Sequence, residues 1–355
     1  MNRIEFYRRK DEAWFLDPRE NFARKSISFE MRRDPLTGHI SRIVSFRRKI
    51  PEIKVNEEVL EASKKNCPFC PEQLPALTPL FIPEIASEGR LYKGGASLFP
   101  NSFPYARHSW VVVLSKEHFL SLDQLSTEVL MDGFLVAQEA VARVERKDPT
   151  FSYTSINWNY LPQSGGGLFH PHLQVVIEDA ATASHAKVLE GLKQYEARED
   201  RSFWEDCLAQ EMKTDERYAG NQGNIHFLLA FSPGGILGEI IILFSQRFVL
   251  KEVTLDDWRA FSEGLVRVFR FFKAKHIDSF NLSLFSGNAE GVQSWVYARL
   301  VPRILIPPWN TSDINYFEKL HSEVICVVSP EELCGELKPF FSPVRPCEAS
   351  PFKVG

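Results

Sequence analysis

Residues 164–177 read SGGGLFHPHLQVVI, a glycine-rich loop that runs into an apolar segment with polar residues at alternate positions. Successive side chains of a β-strand point to opposite faces of the sheet. A strand here would place His170, His172 and Gln174 on one face, while Leu173 and Val175 pack inward on the other. Three polar groups that could act on one ligand would then converge.

The residue types in this segment indicate phosphoryl chemistry. A neutral imidazole such as that of His172 is a good nucleophile near pH 7, and its phosphoramidate product is reactive enough to pass the group onward. Gln174 could donate a hydrogen bond to a non-bridging oxygen as charge develops on the phosphoryl group. The backbone amides of Gly165, Gly166 and Gly167 could approach phosphate oxygens, although glycines alone equally fit a plain loop.

A second motif, Cys67-Pro-Phe-Cys70, has the spacing of half a zinc site. Two more ligands must come from distant parts of the chain, and the candidates are His118 and His170. The alternative is that these histidines are ordinary core or surface residues. Four protein ligands would leave no open coordination position, so we expect a structural zinc ion that orients the strand of His172.

The composition bounds the class of protein. The 355 residues are 44% hydrophobic with a formal net charge of -4 and pI near 6.2, so the chain can bury a large core but lacks the basic field that nucleic acids require. Six cysteines are too sparse for a secreted disulfide framework. No segment resembles a signal peptide or a membrane span, and we expect a cytoplasmic protein.

The chain contains an internal duplication. Residues 110–176 can be laid over residues 240–303 as a strand, a helix and two strands, with helices predicted at about 122–146 and from Thr254 onward. This overlay matches Tyr297 and Arg299 to His170 and His172. We expect an N-terminal arm (1–66) that contributes to a nucleotide site, a first half (67–185) with zinc and nucleophile, and a degenerate second half (186–355).

Four segments carry a resemblance to a known family: RDPLTG at 33–38 with Arg47, CPFCP at 67–71, Asn101 with Phe103, and Asn159 followed by Gly165 to Gln174. Their order and spacing resemble the galactose-1-phosphate uridylyltransferase family. That family is a branch of the histidine-triad superfamily, which also contains ADP-glucose phosphorylases and diadenosine-tetraphosphate phosphorylases.

The resemblance implies an α+β fold with two histidine-triad-like units, each an antiparallel sheet with packed helices, that form one extended half-barrel-like sheet. It implies that His172 forms a covalent nucleotidyl intermediate, that Gln174 steadies the phosphoryl group, and that Cys67, Cys70, His118 and His170 hold zinc. It also implies a homodimer. The residues that it assigns to the nucleotide sugar are Arg47, Asn101, Ser102, Phe103, Asn159, the three glycines and, for the hexose phosphate, Glu318.

Departures from the family pattern leave the substrate open. Ser102 replaces an acidic residue, Gly167 replaces a serine, and Tyr297 and Arg299 replace histidines of a second metal site, so we expect no second metal. The leading hypothesis is transfer of UMP or AMP from a nucleotide sugar to a hexose 1-phosphate. The alternatives are an ADP-glucose or dinucleoside-polyphosphate phosphorylase that uses inorganic phosphate, and a non-catalytic zinc-stabilised nucleotide-binding protein.

Overall fold

The computed structural model describes residues 4–44, 56–288, 291–292, 294–306 and 308–342. The strands are β1 (Arg8–Asp17), β2 (Ala23–Arg33), β3 (Ile40–Val44), β4 (Leu91–Lys93), β5 (Ala96–Pro100), β6 (His108–Val113), β7 (Tyr153–Tyr160), β8 (His172–Glu178), β9 (Tyr218–Gln222), β10 (Ile225–Leu229), β11 (Ile240–Phe244), β12 (Ser279–Ser286), β13 (Tyr297–Arg303), β14 (Leu305–Ile306), β15 (Thr311–Ser312) and β16 (Val324–Cys326). The helices are α1 (Glu57–Lys64), α2 (Leu74–Leu77), α3 (Thr127–Lys147), α4 (Ala183–Glu199), α5 (Phe203–Thr214), α6 (Leu255–Ala274), α7 (Tyr316–His321) and α8 (Pro330–Phe341).

One large sheet organises the molecule. Within the described residues it has ten strands in the order β4-β5-β6-β8-β7-β12-β13-β11-β10-β9, and every neighbouring pair is antiparallel. Helices α3, α6 and α8 cover one face, where alternate strand residues such as Ile156, Trp158 and Leu282 are fully buried. The α+β architecture with a single extended antiparallel sheet is therefore confirmed. None of the described helices is both long and apolar enough to span a membrane.

The opposite face, called the open face below, carries the polar residues of the central strands. On β7 the buried residues Thr154, Ile156 and Trp158 alternate with partly exposed Ser155 and Asn157, as the two-residue period of a strand requires. Helices α4 and α5 cover the open face over β10, β11 and β13, through a second apolar cluster that also takes in Phe285 of β12 and Tyr153 at the start of β7. The open face over β8 and β7 is therefore where polar side chains can meet a ligand.

The hydrogen-bond register corrects the overlay of the two halves. Units β6-α3-β7-β8 and β11-α6-β12-β13 have the same order of elements. In each unit, a residue at the end of the first strand donates its amide to the carbonyl of the residue just before the last strand: Leu114 to Pro171, and Phe244 to Val296. Strands β8 and β13 begin at His172 and Tyr297. Tyr297 is thus equivalent to His172 and not to His170, a shift of two residues.

The same register places Arg299 where Gln174 stands in the first half. The overlay was wrong because it assumed that His170 lies within the strand, whereas His170 lies in a bend before it. The predicted common face of His170, His172 and Gln174 is corrected accordingly: only His172 and Gln174 share a face of β8.

Helix boundaries follow local capping. The helix predicted at 122–146 begins at Thr127, because the Ser126 hydroxyl accepts a hydrogen bond from the Val129 amide and fixes the helix start there. The helix expected after Thr254 does begin there, with Thr254 and Asp257 forming a reciprocal capping box.

The N-terminal arm contains a β-hairpin. Strands β2 and β3 flank a turn in which the Asp34 carboxylate accepts hydrogen bonds from the Leu36 and Thr37 amides, and Gly38 adopts a φ of 71°. The turn lies against α4, since a Cβ atom at Gly191 would come within 2.3 Å of the Leu36 carbonyl oxygen. Strand β16 from the far end of the chain adds to β3 in parallel, which the sequence did not indicate.

Candidate metal and phosphoryl-transfer site

Four residues from distant segments meet beside the start of β8. The ligand atoms of Cys67, Cys70, His118 and His170 all lie within 4.8 Å of one another, and all four residues are buried. The Nδ1 atom of His170 lies 3.6 Å from the Cys67 sulfur, and Nδ1 of His118 lies 3.5 Å from the Cys70 sulfur. This group could hold a metal ion.

The outer nitrogen of each histidine is already engaged. Nε2 of His170 lies 2.9 Å from the Ser115 carbonyl oxygen, which can only accept, so this nitrogen carries the proton and Nδ1 keeps its lone pair. Nε2 of His118 lies 2.8 Å from the hydroxyl of Ser63, which itself donates to the Leu60 carbonyl. Both imidazoles therefore present a free Nδ1 lone pair towards the sulfurs, as metal-ligating histidines do.

The ionisation of the donor set also fits a cation. Burial, with the neighbouring Cys67, raises the pKa of the Cys70 thiol to about 11. Burial lowers the pKa of His170 to about 4, so its imidazole stays neutral. Two adjacent buried thiolates are costly alone, whereas a dication stabilises them and neutral imidazoles serve directly as ligands.

His172 begins β8 immediately after the Cys67-Cys70-His118-His170 cluster. Its ring lies on the open face against the edge of Phe69, with centroids 5.2 Å apart, and is 8% exposed. Nδ1 of His172 donates to the His170 carbonyl oxygen at 2.8 Å, so Nε2 carries the free lone pair. Burial lowers the pKa of His172, which favours the neutral, nucleophilic form.

Gln174 lies two residues further along the same face and is held by a residue that the sequence analysis did not single out. The hydroxyl of Tyr105 donates to Gln174 Oε1 at 3.1 Å. Because the carbonyl end of the amide accepts this bond, the NH2 group is left to donate elsewhere. Tyr105 itself is 66% exposed, in the loop between β5 and β6.

A row of amides continues the site across neighbouring strands. Asn157 of β7 pairs with Gln174, which places Asn159 level with His172 on the open face. Asn159 Oδ1 accepts a hydrogen bond from Asn281 at 2.6 Å, so its NH2 group points away from that contact. Asn157 was not singled out, although the two-residue period from Asn159 is the signal that would have found it.

The glycine loop has a structural explanation for two of its three members. Gly165 has a φ of 90°, and a Cβ atom at Gly166 would lie 2.9 Å from the carbonyl oxygens of Asn159 and Leu161. The amides of Gly165 and Gly166 already donate to loop carbonyls. These two amides are therefore engaged within the loop, and contact of the three glycines with a phosphate remains a prediction. Gly167 has open space around its Cβ position and is the member that a ligand could approach.

The predicted nucleotide contacts are only partly brought together. Asn101, Ser102 and Phe103 lie in the loop that carries Tyr105, and Phe103 is 86% exposed. The side-chain oxygen Oδ1 of Asn101 accepts a hydrogen bond from the Phe103 amide at 3.0 Å. Arg47 lies outside the described residues.

Glu318 lies elsewhere. It is in α7 and lines a cavity of about 580 Å³ in the second half, away from the residues of the His172 site. Burial raises the pKa of Glu318. Neither His172 nor Gln174 lines this cavity, and the contact of Glu318 with a hexose phosphate remains a prediction.

Comparisons with known proteins agree with this architecture. No family model matches the sequence. An uncharacterized protein of Archaeoglobus fulgidus is 29% identical over 315 residues, which cover 88% of this chain and 92% of that protein. An ADP-glucose phosphorylase from Arabidopsis thaliana, solved with bound ADP-glucose, has a TM-score of 0.67 at 16% identity over 87% of this chain and 98% of that chain.

A uridylyltransferase structure gives a TM-score of 0.61 at 17% identity, over 88% of this chain and 98% of its own. A GalT-like protein from Arabidopsis thaliana gives a TM-score of 0.66 at 16% identity, over 87% of this chain and 98% of that chain. Each likeness spans both halves of the large sheet. The chain thus has the α+β fold of the uridylyltransferases and ADP-glucose phosphorylase, the fold that the sequence resemblance implied.

Proposed function

We propose that this protein is a nucleotidyltransferase that moves a nucleotidyl group from a nucleotide sugar to a phosphorylated acceptor through a covalent intermediate on His172. The observation that carries the proposal is the hydrogen bond from His172 Nδ1 to the His170 carbonyl. It fixes the tautomer in which Nε2 is unprotonated on the open face, with Gln174 next to it. A binding protein has no need of such an arrangement.

The first step is a displacement at the α-phosphorus of the nucleotide sugar. The Nε2 lone pair of His172 forms the P–N bond while the P–O bond to the sugar phosphate breaks, and that electron pair stays on the departing phosphate oxygen. In the second step a phosphate oxygen of the acceptor attacks phosphorus and the P–N bond breaks. The His170 carbonyl stabilises the positive charge that the imidazole ring acquires in between.

Gln174 and the amide row supply positioned donors. With its Oε1 held by Tyr105, the NH2 group of Gln174 can donate to a non-bridging oxygen as the phosphoryl group is transferred. Asn159 at the level of His172, Gly167, and the loop of Asn101, Ser102 and Phe103 are the groups proposed to bind the nucleotide. Arg47 and Glu318 remain proposed contacts of the same substrate, Glu318 from the partner subunit of a homodimer.

We propose zinc as the metal of the Cys67-Cys70-His118-His170 cluster, because two thiolates and two imidazoles are a common set for a structural zinc ion. A bound zinc ion would supply a fixed link between the cysteine knuckle and the residue that precedes β8. His170 would then hold its carbonyl, and with it the ring of His172, in one position. We also propose the domain boundaries 1–66, 67–185 and 186–355, which follow from the duplicated order of elements in the two halves.

The test is retention of label on the protein. Incubation with UDP-glucose or ADP-glucose labelled in the α-phosphate should leave label on the denatured wild-type chain and none on His172→Gln. A matched control is His226→Gln, because His226 is a half-buried histidine on β10 of the second half. Wild-type protein that never retains label from either nucleotide sugar, yet binds it, would refute the proposal and favour a non-catalytic nucleotide-binding protein.

The acceptor is identified by a second measurement on the labelled protein. Release of label by glucose 1-phosphate or galactose 1-phosphate indicates a hexose-1-phosphate nucleotidyltransferase, which we propose first. Release by inorganic phosphate alone would instead indicate a phosphorylase. The two outcomes give different labelled products, a nucleotide sugar or a nucleoside diphosphate, which chromatography separates.

A further inference from the structure

The second half contains a cavity at the place that is equivalent to the His172 site. The cavity of about 580 Å³ is lined by Tyr297 and Arg299 of β13, which the register matches to His172 and Gln174. Binding sites for small organic molecules have volumes of about 300–1,000 Å³. In the sheet order, β13 is three strands from β8, roughly 14 Å at about 4.8 Å per strand. The two sites are therefore separate within one chain.

The floor and one wall of this cavity are apolar. Open-face residues Leu228, Ile241 and Leu243 form the floor, and Phe203 and Trp204 of α5 stand against them. Flat aromatic walls of this kind suit a planar ring.

Several polar groups at the cavity lack partners in the protein. The hydroxyl of Tyr297 and the indole nitrogen of Trp204 are buried without a hydrogen-bond partner among the described residues, and so is Nε2 of His39. Tyr297 is only 2% exposed. Buried polar groups are normally satisfied, so unpaired donors beside a cavity point to a ligand that completes them.

Two cationic side chains line the cavity near the start of α4, those of Arg299 and Lys187. Arg299 uses Nε and Nη2 in a two-point ion pair with Glu239, while its Nη1 has only a long contact of 3.4 Å to the Ser184 hydroxyl. Ser184 is in the first turn of α4, and no side chain caps that helix start. Lys187, one turn later and exposed, also lines the cavity. A helix start with two cations nearby suits one phosphate group.

Acidic groups on the lining argue against a more highly charged ligand. The lining carries five carboxylates, those of Asp34, Glu211, Glu239, Glu318 and Glu323. Glu211, Glu239 and Glu323 form ion pairs with arginines, although Oε2 of Glu211 is buried without a hydrogen-bond partner among the described residues. We infer that this second cavity binds a compound with an aromatic ring and a single phosphate, of the class of a nucleoside 5′-monophosphate, without reacting with it. The inference is independent of the proposed function, since no nucleophile is equivalent to His172 here.

The experiment measures equivalents of labelled AMP and UMP bound per chain by equilibrium dialysis. Ala183→Trp places a large side chain at the exposed, lining start of α4 and should bind one equivalent fewer than wild type. The matched control is Ala186→Trp, exposed on the same helix but outside the lining, which should bind as wild type does. Equal binding by wild type and Ala183→Trp for both nucleotides would overturn the inference.

Removal of a single positive charge on the same helix tests the phosphate assignment. Lys187→Met should weaken the affected equivalent about tenfold for the monophosphate and leave the binding of adenosine or uridine unchanged, whereas Lys193→Met, exposed outside the lining, should change neither. An equal effect on nucleoside and nucleotide would refute the phosphate assignment. Labelling of His172 should persist in Ala183→Trp, because this residue lies outside the His172 site. If wild-type protein is never labelled, the proposed function is refuted, but the binding measured by dialysis still tests this inference.

Discussion

Tyr105 gives the sharpest test of how the site works. Its hydroxyl donates the one hydrogen bond described for the side-chain oxygen Oε1 of Gln174, at 3.1 Å. This bond determines which end of the side-chain amide is free to face the proposed phosphoryl group. Tyr105→Phe removes the hydroxyl and keeps the ring. Without this bond the amide can rotate and present its oxygen, which repels the anionic phosphoryl group instead of stabilising it.

The size of the effect follows from the type of bond. A neutral hydrogen bond contributes about 1 kcal/mol net, a factor of about five in rate. Removing the donor altogether in Gln174→Ala should cost more, about 10²–10³ in rate, as loss of one positioned donor does. Tyr105→Phe should therefore lower the rate of sugar phosphate release about fivefold, with little change in stability because the side chain is largely exposed.

The assay is single-turnover release of sugar 1-phosphate from a labelled nucleotide sugar, measured in wild type, both single variants and the double variant. If Tyr105 acts through Gln174, Tyr105→Phe should have no effect in the Gln174→Ala background. Tyr92→Phe, an exposed tyrosine of β4, is the matched control and should behave as wild type. Equal slowing by Tyr105→Phe in both backgrounds would show that Tyr105 contacts the substrate itself and would refute the positioning role.

Three further predictions concern stability. Cys70→Ser should remove zinc, measured per chain by elemental analysis, and lower the free energy of unfolding by at least about 3 kcal/mol; metal-free native wild-type protein would contradict this. Gly166→Ala should lower the free energy of unfolding, measured by urea titration, by about 1–3 kcal/mol, because its Cβ would lie 2.9 Å from two carbonyl oxygens. Gly167→Ala should lower it by under about 0.5 kcal/mol, and equal effects of the two changes would be inconsistent with the loop geometry. Burial opposes ionisation of Glu331, but hydrogen bonds from Arg32 lower its pKa to about 2, so it stabilises the fold above its unfolded pKa and this contribution is lost as the pH falls towards 2. Glu331→Gln should be less stable than wild type at pH 7 and converge with it near pH 2, and a constant difference across that range would refute the ion pair's role.

Periodicity and residue chemistry predicted most of the central sheet. The alternation in β7 and β8 and the helical spacing in α3 and α6 are local signals, and burial on the large sheet follows them. Cys67 and Cys70 were singled out by their spacing, His118 and His170 were named as candidate partners, and the family resemblance implied all four as ligands; the structure brings these four residues together.

Other features depend on tertiary contacts that leave no local signal. Whether the strand includes His170 depends on the cluster, which holds that residue in a bend. The pairing of Tyr105 with Gln174 joins residues 69 positions apart. Strand β16 is three residues long and forms only because β3 offers an edge. Such contacts are decided by packing of the whole chain, so a pattern within one segment cannot show them.

The register also explains why we propose the chemistry for the first half alone. The residue equivalent to His172 is Tyr297, a buried phenol whose pKa is raised by burial, so it stays protonated and is a poor nucleophile. The residue equivalent to Gln174 is Arg299, which is tied to Glu239 and could bind an anion but cannot form a phosphoramidate. A histidine at position 297 would not restore transfer by itself, because no cluster of sulfur and nitrogen ligands is found beside that strand among the described residues. Among the described residues, the proposed nucleophile and the cluster proposed to orient it occur together only around β8.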